Sequence, residues 1–185
     1  MAIALPLLLL GMLACGDDPF EVRWTAQPDT VLLYSLARPE LNLPAGFNFA
    51  PDRRHSIVVE APGSTGLWDV AVDTRDGQLA FVLPGTFGIP SRARMTSLGG
   101  GLEFEEVAEA PRDTAAYHAS EPLPVNEGSI YVVQTDARTG SFRRSCVYYA
   151  KIEPLEADVA AGTLRFVYDA SPVCNDRRLV PPDRD

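Results

Sequence analysis

Residues 129–168 contain three short runs of strand-forming residues, which read SIYVVQT (129–135), CVYYAKI (146–152) and TLRFVY (163–168). Turn residues separate the runs, with Gly140 in the first break and Gly162 in the second. Val, Ile, Tyr and Phe are enriched in strands because they pack well on a pleated, half-buried surface, and short breaks between such runs favour antiparallel neighbours. We therefore expect a C-terminal three-stranded meander that forms the floor of the domain.

Weaker strand signals precede this meander. Alternating residues at 66–73, an Asp76-Gly77 turn and the run at 78–83 predict a β-hairpin, because Asp-Gly suits the tight turn between antiparallel strands. Further strands are expected at residues 31–36, 55–60 and 102–107, the last with one apolar and one acidic face. The remaining segments are expected to be irregular: 37–52, 84–101 with Gly99-Gly100-Gly101 as a flexible break, and 108–126 as a loop or short helix.

The composition predicts one all-β domain over residues 30–185. The 185 residues are 46% hydrophobic and 22% charged, which is sufficient for one sizeable core. Sixteen prolines are spread through the chain and interrupt any long amphipathic helix. We expect antiparallel sheets arranged as a sandwich or an open barrel, with long loops and little helix.

The chain is strongly acidic. Its formal net charge is −9 and its isoelectric point is near 4.7. Phosphate groups would be repelled over most of such a surface, so we expect no nucleic-acid partner and no face that binds anionic lipid headgroups.

The N-terminal segment resembles a bacterial lipoprotein signal peptide. Residues 2–14 are almost entirely apolar but too short to span a bilayer core of about 30 Å, and they lead into Met12-Leu13-Ala14-Cys15-Gly16. We expect cleavage after residue 14 and lipid on Cys15. An ordinary secretory signal is the alternative, whereas a buried helix fits poorly with Pro6 and the acidic pair that follows.

This segment departs from the usual lipoprotein signal in two respects. Met12 stands where Leu is usual, and no Lys or Arg precedes the apolar run, so the completeness of the start is left open.

Residues 15–29 are acidic and poorly patterned, and we expect them to act as a tether that lifts the domain off the membrane. Gly16 favours sorting to the outer membrane, with the periplasmic and surface faces both left open.

Cys146 and Cys174 are the cysteines that remain after Cys15. In an exported protein an even pair normally forms a disulfide, and closing a loop of about 28 residues would stabilise the fold by roughly 3 kcal/mol. We expect Cys146 to open the second meander strand and Cys174 to follow the third, so that the two meet near one edge. Two free buried thiols are the alternative, and a metal site lacks further Cys or His at ligand spacing.

The sequence gives little indication of catalysis. It contains no phosphate-binding glycine loop, no Cys and His cluster of the zinc type and no Gly-x-Ser-x-Gly motif. The carboxylates of Glu103, Glu105 and Glu106 are interpreted as the solvated face of a strand. We therefore expect a binding protein and not an enzyme.

His118 lies in the run AAYHA (115–119), just before the meander. A neutral imidazole beside an aromatic residue can serve as an axial haem ligand, because haem needs a nitrogen ligand and an apolar wall. The alternative is an ordinary histidine on a surface loop.

Several motifs together resemble the HmuY-like lipoproteins. After the lipoprotein signal come LWDVAV (67–72), IYVVQT (130–135), YAKI (149–152) and GTLRFVY (162–168), and the resemblance covers roughly residues 31–168. It implies a mostly-β protein of the cell surface or outer membrane, and some members of this family capture haem. His118 falls at about the spacing before the 130–135 strand at which haem-binding members place an axial ligand.

The resemblance also implies a second axial ligand. Met95, on an Arg-rich loop, and His55, before the Trp-Asp strand, are the candidates. Arg92 and Arg94 could pair with the haem propionates, although two arginines beside Met95 are equally an ordinary solvated turn.

The sequence thus predicts a lipid-anchored envelope protein that works by binding. One hypothesis is haem capture or transfer. The other is a structural or interaction lipoprotein that binds a protein or glycan partner without haem.

Overall fold

The computed structural model of the chain describes Trp24, residues 28–140 and residues 143–182. The predicted signal segment 1–14, Cys15 and all but Trp24, Pro28 and Asp29 of the predicted tether lie outside the described residues. None of the described residues belongs to a helix long and apolar enough to cross a membrane.

The described residues form two five-stranded antiparallel sheets and a short ribbon. The first sheet has the order β1-β12-β11-β8-β6 and the second the order β3-β2-β4-β5-β7. The first contains β1 (Asp29–Tyr34), β6 (Arg94–Gly100), β8 (Ser129–Gln134), β11 (Tyr149–Asp158) and β12 (Thr163–Ala170). The second contains β2 (Gly46–Asn48), β3 (His55–Ile57), β4 (Val70–Arg75), β5 (Gln78–Val82) and β7 (Leu123–Pro124). The ribbon pairs β9 (Arg138–Thr139) with β10 (Ser145–Cys146).

The two sheets pack face to face as a sandwich, so the predicted all-β class is confirmed. Inward side chains of both sheets form one core, in which the aromatic rings contact each other edge to face. Phe81 of the second sheet lies 5.0 Å from Tyr131 and 6.5 Å from Phe166 of the first, measured between ring centroids. Only three single-turn 3₁₀ helices accompany the described strands: Pro84–Phe87, Phe104–Glu106 and Thr114–Ala116.

The outer faces of both sheets are partly covered by smaller apolar clusters. Ile130 and Val132, on the outer face of β8, pack against Phe104, Val107 and further apolar residues of the loops. Every residue of β8 is buried, which explains why residues 130–133 are a continuous apolar run instead of an alternating one.

The predicted meander is confirmed, since β8, β11 and β12 are neighbours in the first sheet. Ile152 lies opposite Tyr131 on one side and Tyr168 on the other. The β4–β5 hairpin is confirmed as well, and its Asp76-Gly77 turn has positive φ at both residues, +52° and +79°. Two such angles are what the favoured two-residue hairpin turns require.

Four segments differ from their predictions; the segment 108–126 contains β7 in addition to the 3₁₀ helix Thr114–Ala116. Residues 102–107 form no strand; Phe104–Glu106 is a 3₁₀ helix, because Phe104 and Val107, three residues apart, both turn toward the outer face of the first sheet. The segment 37–52 contains β2, and the segment 84–101 contains β6. Gly99 and Gly100 lie inside β6 next to a bulge, where a left-handed φ of +81° at Gly99 allows the strand to continue.

Candidate functional site

Cys146 and Cys174 form the predicted disulfide, with their Cα atoms 5.0 Å apart. Their placement differs in one respect from the prediction. Cys146 belongs to β10 and pairs with Arg138 of β9, whereas the middle strand of the meander begins only at Tyr149. The bridge therefore joins the ribbon, and not the meander itself, to the segment that follows β12.

Asn175 reinforces this bridge with three hydrogen bonds. Its backbone N–H donates to the carbonyl of Val147 at 2.9 Å, and its side-chain oxygen accepts from the Val147 N–H at 3.0 Å. Its side-chain amide donates to the carbonyl of Ser145 at 3.1 Å. Ser145, Val147 and Asn175 flank the two cysteines, so the disulfide and these hydrogen bonds hold them together as one wall.

This wall borders a cleft of about 690 Å³ on the outer face of the first sheet. The opposite side is formed by residues 91–94 and Ala119. Gln134 and Tyr149 also line the cleft, and with Arg94 they form one row across β6, β8 and β11, because Gln134 lies opposite both of the others. We call this cleft the arginine cleft, after Arg92 and Arg94. Its volume is in the range of ligand-binding clefts.

Gln134 organises the arginine cleft. Its side-chain oxygen accepts from Nε and Nη2 of Arg94, at 3.0 and 2.6 Å, and from the hydroxyl of Tyr149 at 3.1 Å. Its amide nitrogen donates to the carbonyl of Arg92 at 3.1 Å. The side chain is almost fully buried, so these contacts fix the positions of Arg94 and Tyr149.

The positive charges of the arginine cleft are not neutralised within the described residues. Eight other described arginines form ion pairs with carboxylates. Arg94 instead contacts the neutral Gln134 and lies 5.2 Å from the centre of the Tyr117 ring. Burial raises the pKa of Tyr117 to about 12, so its phenol is neutral at pH 7. Arg92 is exposed, and its guanidinium contacts no carboxylate among the described residues.

His118 lies beside the arginine cleft but is held by other contacts. Its backbone pairs with that of Met95. The Met95 N–H donates to the His118 carbonyl at 2.9 Å, and the His118 N–H donates to the Met95 carbonyl at 2.8 Å. The side chain is 46% exposed, and its Nδ1 is 2.8 Å from a carboxylate oxygen of Glu121. A Cβ atom added at Gly85 would collide with the carbonyl oxygen of Ala119, so this segment packs tightly against the 3₁₀ helix that follows β5.

The other two candidate haem ligands lie elsewhere. The expectation that Met95 is on an Arg-rich loop is wrong, because Met95 is in β6 and its side chain is fully buried in the core between the sheets. His55 is exposed on β3, an edge strand of the second sheet, with Nδ1 2.6 Å from the carbonyl oxygen of Arg53. His118, Met95 and His55 therefore do not converge on one cleft. Within the described part of the chain, no three His, Cys, Asp or Glu side chains form a group suited to a metal ion.

Asp69 forms a second polar centre, which links the two sheets. One carboxylate oxygen accepts from the Phe49 N–H at 2.9 Å, and the other accepts from the Asp136 N–H at 2.9 Å and from Nη2 of Arg138 at 3.2 Å. Burial of the carboxyl raises its pKa to about 6, outweighing these hydrogen bonds and the nearby guanidinium. Its contacts are internal to the fold, and we assign it a structural role.

Sequence patterns identified part of this arrangement. Arg92, Arg94 and the cysteine pair were singled out, and Glu103, Glu105 and Glu106 are solvent-exposed as expected. Gln134, Asn175 and Asp69 were missed. A signal existed for Gln134 and Asp69, since each is a polar residue next to a buried apolar run, but nothing in the sequence indicated what they contact.

The chain was compared with models of known protein families, with curated proteins and with solved structures, and none of them matches it.

Proposed function

We propose that this protein is a lipid-anchored binding protein of the bacterial cell envelope, similar to the HmuY-like lipoproteins, that holds its ligand in the arginine cleft. In this proposal Cys15 carries the lipid, in the outer membrane, and the domain works without catalysis. The observation that supports it most directly is the pair of arginines without carboxylate partners in a cleft of about 690 Å³. Two guanidinium groups without carboxylate partners make the cleft locally positive, which favours a ligand of opposite charge.

The other groups of the arginine cleft fit this proposal. Ser145 offers a hydroxyl, Asn175 an amide and Tyr149 an aromatic ring, all groups that orient a polar ligand. The disulfide beside Ser145 and Asn175 makes the wall rigid. Ligand binding therefore costs little conformational entropy at this wall.

A cleft-filling substitution tests the proposal. The intact chain in detergent is dialysed to equilibrium against the small-molecule fraction of a bacterial envelope extract, and retained compounds are identified by mass spectrometry. We expect enrichment of at least one compound by the wild type and loss of that enrichment in Ser145→Trp, whose indole would occupy the cleft. Ser56→Trp, on exposed β3 of the second sheet, is the matched control and should behave as the wild type. Equal enrichment by Ser145→Trp and the wild type would reject the arginine cleft as the binding site.

The lipid anchor has its own test. Cells that express the chain are fed a fatty acid with an alkyne group, and the protein is examined for label. The wild type should be labelled and Cys15→Ser should not, because only the wild type has the thiol that accepts the lipid. Labelling of both proteins would argue against lipidation at Cys15.

Haem capture is a second candidate function, and one observation favours it. His118 is exposed, and the adjacent Ala119 lines the same cleft as Arg92 and Arg94, which could pair with propionates. With Met95 in the core, His118 would be the single axial ligand from this set. Titration of the intact chain with haemin should then give a Soret shift that His118→Ala abolishes and His55→Ala leaves unchanged. A shift that survives His118→Ala, or no shift at all, would remove this candidate.

A further inference from the structure

We infer that the arginine cleft recognises the carboxylate of an acidic sugar, with Arg92 and Arg94 holding the charged group and the disulfide-linked wall contacting hydroxyl groups. This inference rests on the proposed function, since it assigns a ligand class to the same cleft.

The two arginines indicate that the ligand is negatively charged. Arg94 is fixed through Nε and Nη2 to Gln134 and by the Tyr117 ring, which leaves its Nη1 without a hydrogen-bond partner among the described residues. Arg92, two residues earlier, contributes an exposed guanidinium without a carboxylate partner in the same described set. A guanidinium has a planar fork of donors that matches the two oxygens of a carboxylate. The fixed guanidinium of Arg94 and the exposed guanidinium of Arg92 can thus contact the same anionic group.

The backbone around the arginines favours a carboxylate over a phosphate. Phosphate sites commonly rely on several free backbone N–H groups that point at the anion. Here the Arg92 N–H donates to the carboxylate of Asp136 at 2.7 Å, and the Ala93 N–H donates to the hydroxyl of Ser91 at 3.0 Å. These donors are occupied, and the Asp136 carboxylate adds a negative charge that disfavours a dianion more than a monoanion.

The remaining lining groups favour a hydroxylated ligand. The Ser145 hydroxyl is exposed, and the Asn175 amide uses one of its two N–H donors on the Ser145 carbonyl, which leaves the other for a ligand. Tyr149 is half-buried, and the bond from its hydroxyl to Gln134 holds its ring in place. A rigid aromatic ring beside donors and acceptors suits a sugar, which has apolar C–H faces and polar edges.

Four probes test separately whether binding needs the carboxylate and whether it needs the sugar that bears it. Isothermal titration calorimetry on the intact chain in detergent is performed with trigalacturonic acid, its trimethyl ester, the amide of N-acetyl-triglutamic acid and inorganic phosphate. We expect binding of trigalacturonic acid and at least about tenfold weaker binding of the ester, which lacks the charge. The amide of N-acetyl-triglutamic acid should also bind at least about tenfold more weakly, because it has three carboxylates like trigalacturonic acid but no sugar hydroxyl groups. Equal affinity for the ester, the peptide or phosphate would overturn the inference.

Matched arginine variants locate the site. Arg92→Gln should weaken the binding of trigalacturonic acid by about tenfold or more, since a charge-assisted hydrogen bond is lost. Arg112→Gln makes the same change in net charge at an exposed position on another loop, and it should bind as the wild type. If both variants weaken binding equally, the effect is one of overall charge and the inference fails. If trigalacturonic acid does not bind while Ser145→Trp still abolishes the enrichment of an envelope compound, the sugar assignment fails and the proposed binding function stands.

Discussion

At position 134 a neutral amide occupies the place beside Arg94 where a carboxylate would neutralise the guanidinium. The Gln134 oxygen accepts from Arg94 and Tyr149, and its nitrogen donates to the carbonyl of Arg92. The amide therefore orients the arginine cleft and leaves its charge available. A carboxylate in the same position would keep the bonds from Arg94 and Tyr149, but it could not donate to the Arg92 carbonyl and would cancel one positive charge.

Gln134→Glu tests this distinction. Glutamate has nearly the same shape, so the bonds from Arg94 should persist, but the bond to the Arg92 carbonyl is lost and the local charge falls by one. We expect the affinity for trigalacturonic acid to fall about tenfold, measured by calorimetry, with a β-sheet circular-dichroism spectrum like that of the wild type. Gln78→Glu, at the exposed start of β5, is the control and should bind as the wild type. Unchanged affinity in Gln134→Glu would mean that Arg94 does not contact the ligand.

The raised pKa of Asp69 predicts that the stability of the fold depends on pH. Its folded-state pKa of about 6 is above the ordinary value of 3.8, so the folded state binds this proton more tightly than the unfolded state. The associated stabilisation is complete below about pH 4 and is lost as the pH rises through about 6. A difference of about two pKa units corresponds to about 3 kcal/mol.

Asp69→Asn removes this titration. The free energy of unfolding is measured in urea at intervals between about pH 3 and 7. Over this range the wild type should lose about 3 kcal/mol more stability than the variant. The variant itself should be less stable at every pH, because an Asn side chain has one oxygen and cannot accept from both Phe49 and Asp136 at the two observed positions. A stability difference that is constant with pH would contradict the raised pKa.

The element that sequence patterns missed most completely is β6. Its residues, RMTSLGG, include two glycines and few strand-forming side chains, and the glycines were interpreted as a break. The strand forms because it pairs with β8 along six residue pairs and, at Met95, with the backbone of His118. Such pairings are tertiary and leave no local signal, whereas the meander and the Asp76-Gly77 hairpin were predictable because neighbours in sequence pair with each other. The arginine cleft was unpredictable for the same reason, since β6 forms one of its sides.

The disulfide should affect both stability and binding. Cys146→Ser/Cys174→Ser opens a loop with a sequence separation of 28 residues. It should lower the free energy of unfolding in urea by about 3 kcal/mol on the chain-entropy model. The affinity for trigalacturonic acid should fall as well, because Ser145, Val147 and Asn175 are no longer held by the bridge. A stability loss with unchanged affinity would show that the hydrogen bonds of Asn175 suffice to keep the wall in place.

Lys151 fastens a loop to the outer face of the first sheet. It is the only lysine in the sequence and is buried, and its ammonium donates to the carbonyls of Phe104 and Val107 at 2.7 and 3.1 Å. It also lies 4.6 Å from the centre of the Phe104 ring. Because these contacts hold the Phe104–Glu106 helix on β11, the side chain joins two segments that are far apart in sequence.

The Lys151→Met substitution tests the hydrogen bonds of the ammonium group while it largely preserves the packing of the side chain. Methionine fills similar space but leaves both carbonyls without this donor, which should cost about 2 to 4 kcal/mol of unfolding free energy in urea. Arg165→Met, on the neighbouring β12, loses only an exposed ion pair with Glu156 and should cost less than about 0.5 kcal/mol. Equal effects of the two substitutions would mean that the carbonyls find other donors.

On the scale of the whole molecule, the arginine cleft is a small positive region on a protein of net charge −9. Salt screens the attraction of Arg92 and Arg94 for an anion, but it also screens the repulsion from the rest of the surface. The two effects oppose each other. The affinity for trigalacturonic acid should therefore fall by less than about tenfold between about 50 and about 300 mM NaCl, as measured by calorimetry. A steeper decline would indicate that more positive charges than these two contact the ligand.

The order of strands in the first sheet has a mechanical consequence. The chain enters the fold at Asp29 on β1, one edge of the sheet, whereas Arg94 lies on β6 at the other edge, four strand spacings or about 19 Å away. If the N-terminus is held in a membrane and the arginine cleft grips an immobile envelope polymer, tension passes across the strands, along their hydrogen bonds. The first ladder under this load joins β1 to β12 through six residue pairs. The strength of that ladder, and not that of the core, would then set the force at which the anchored domain starts to open.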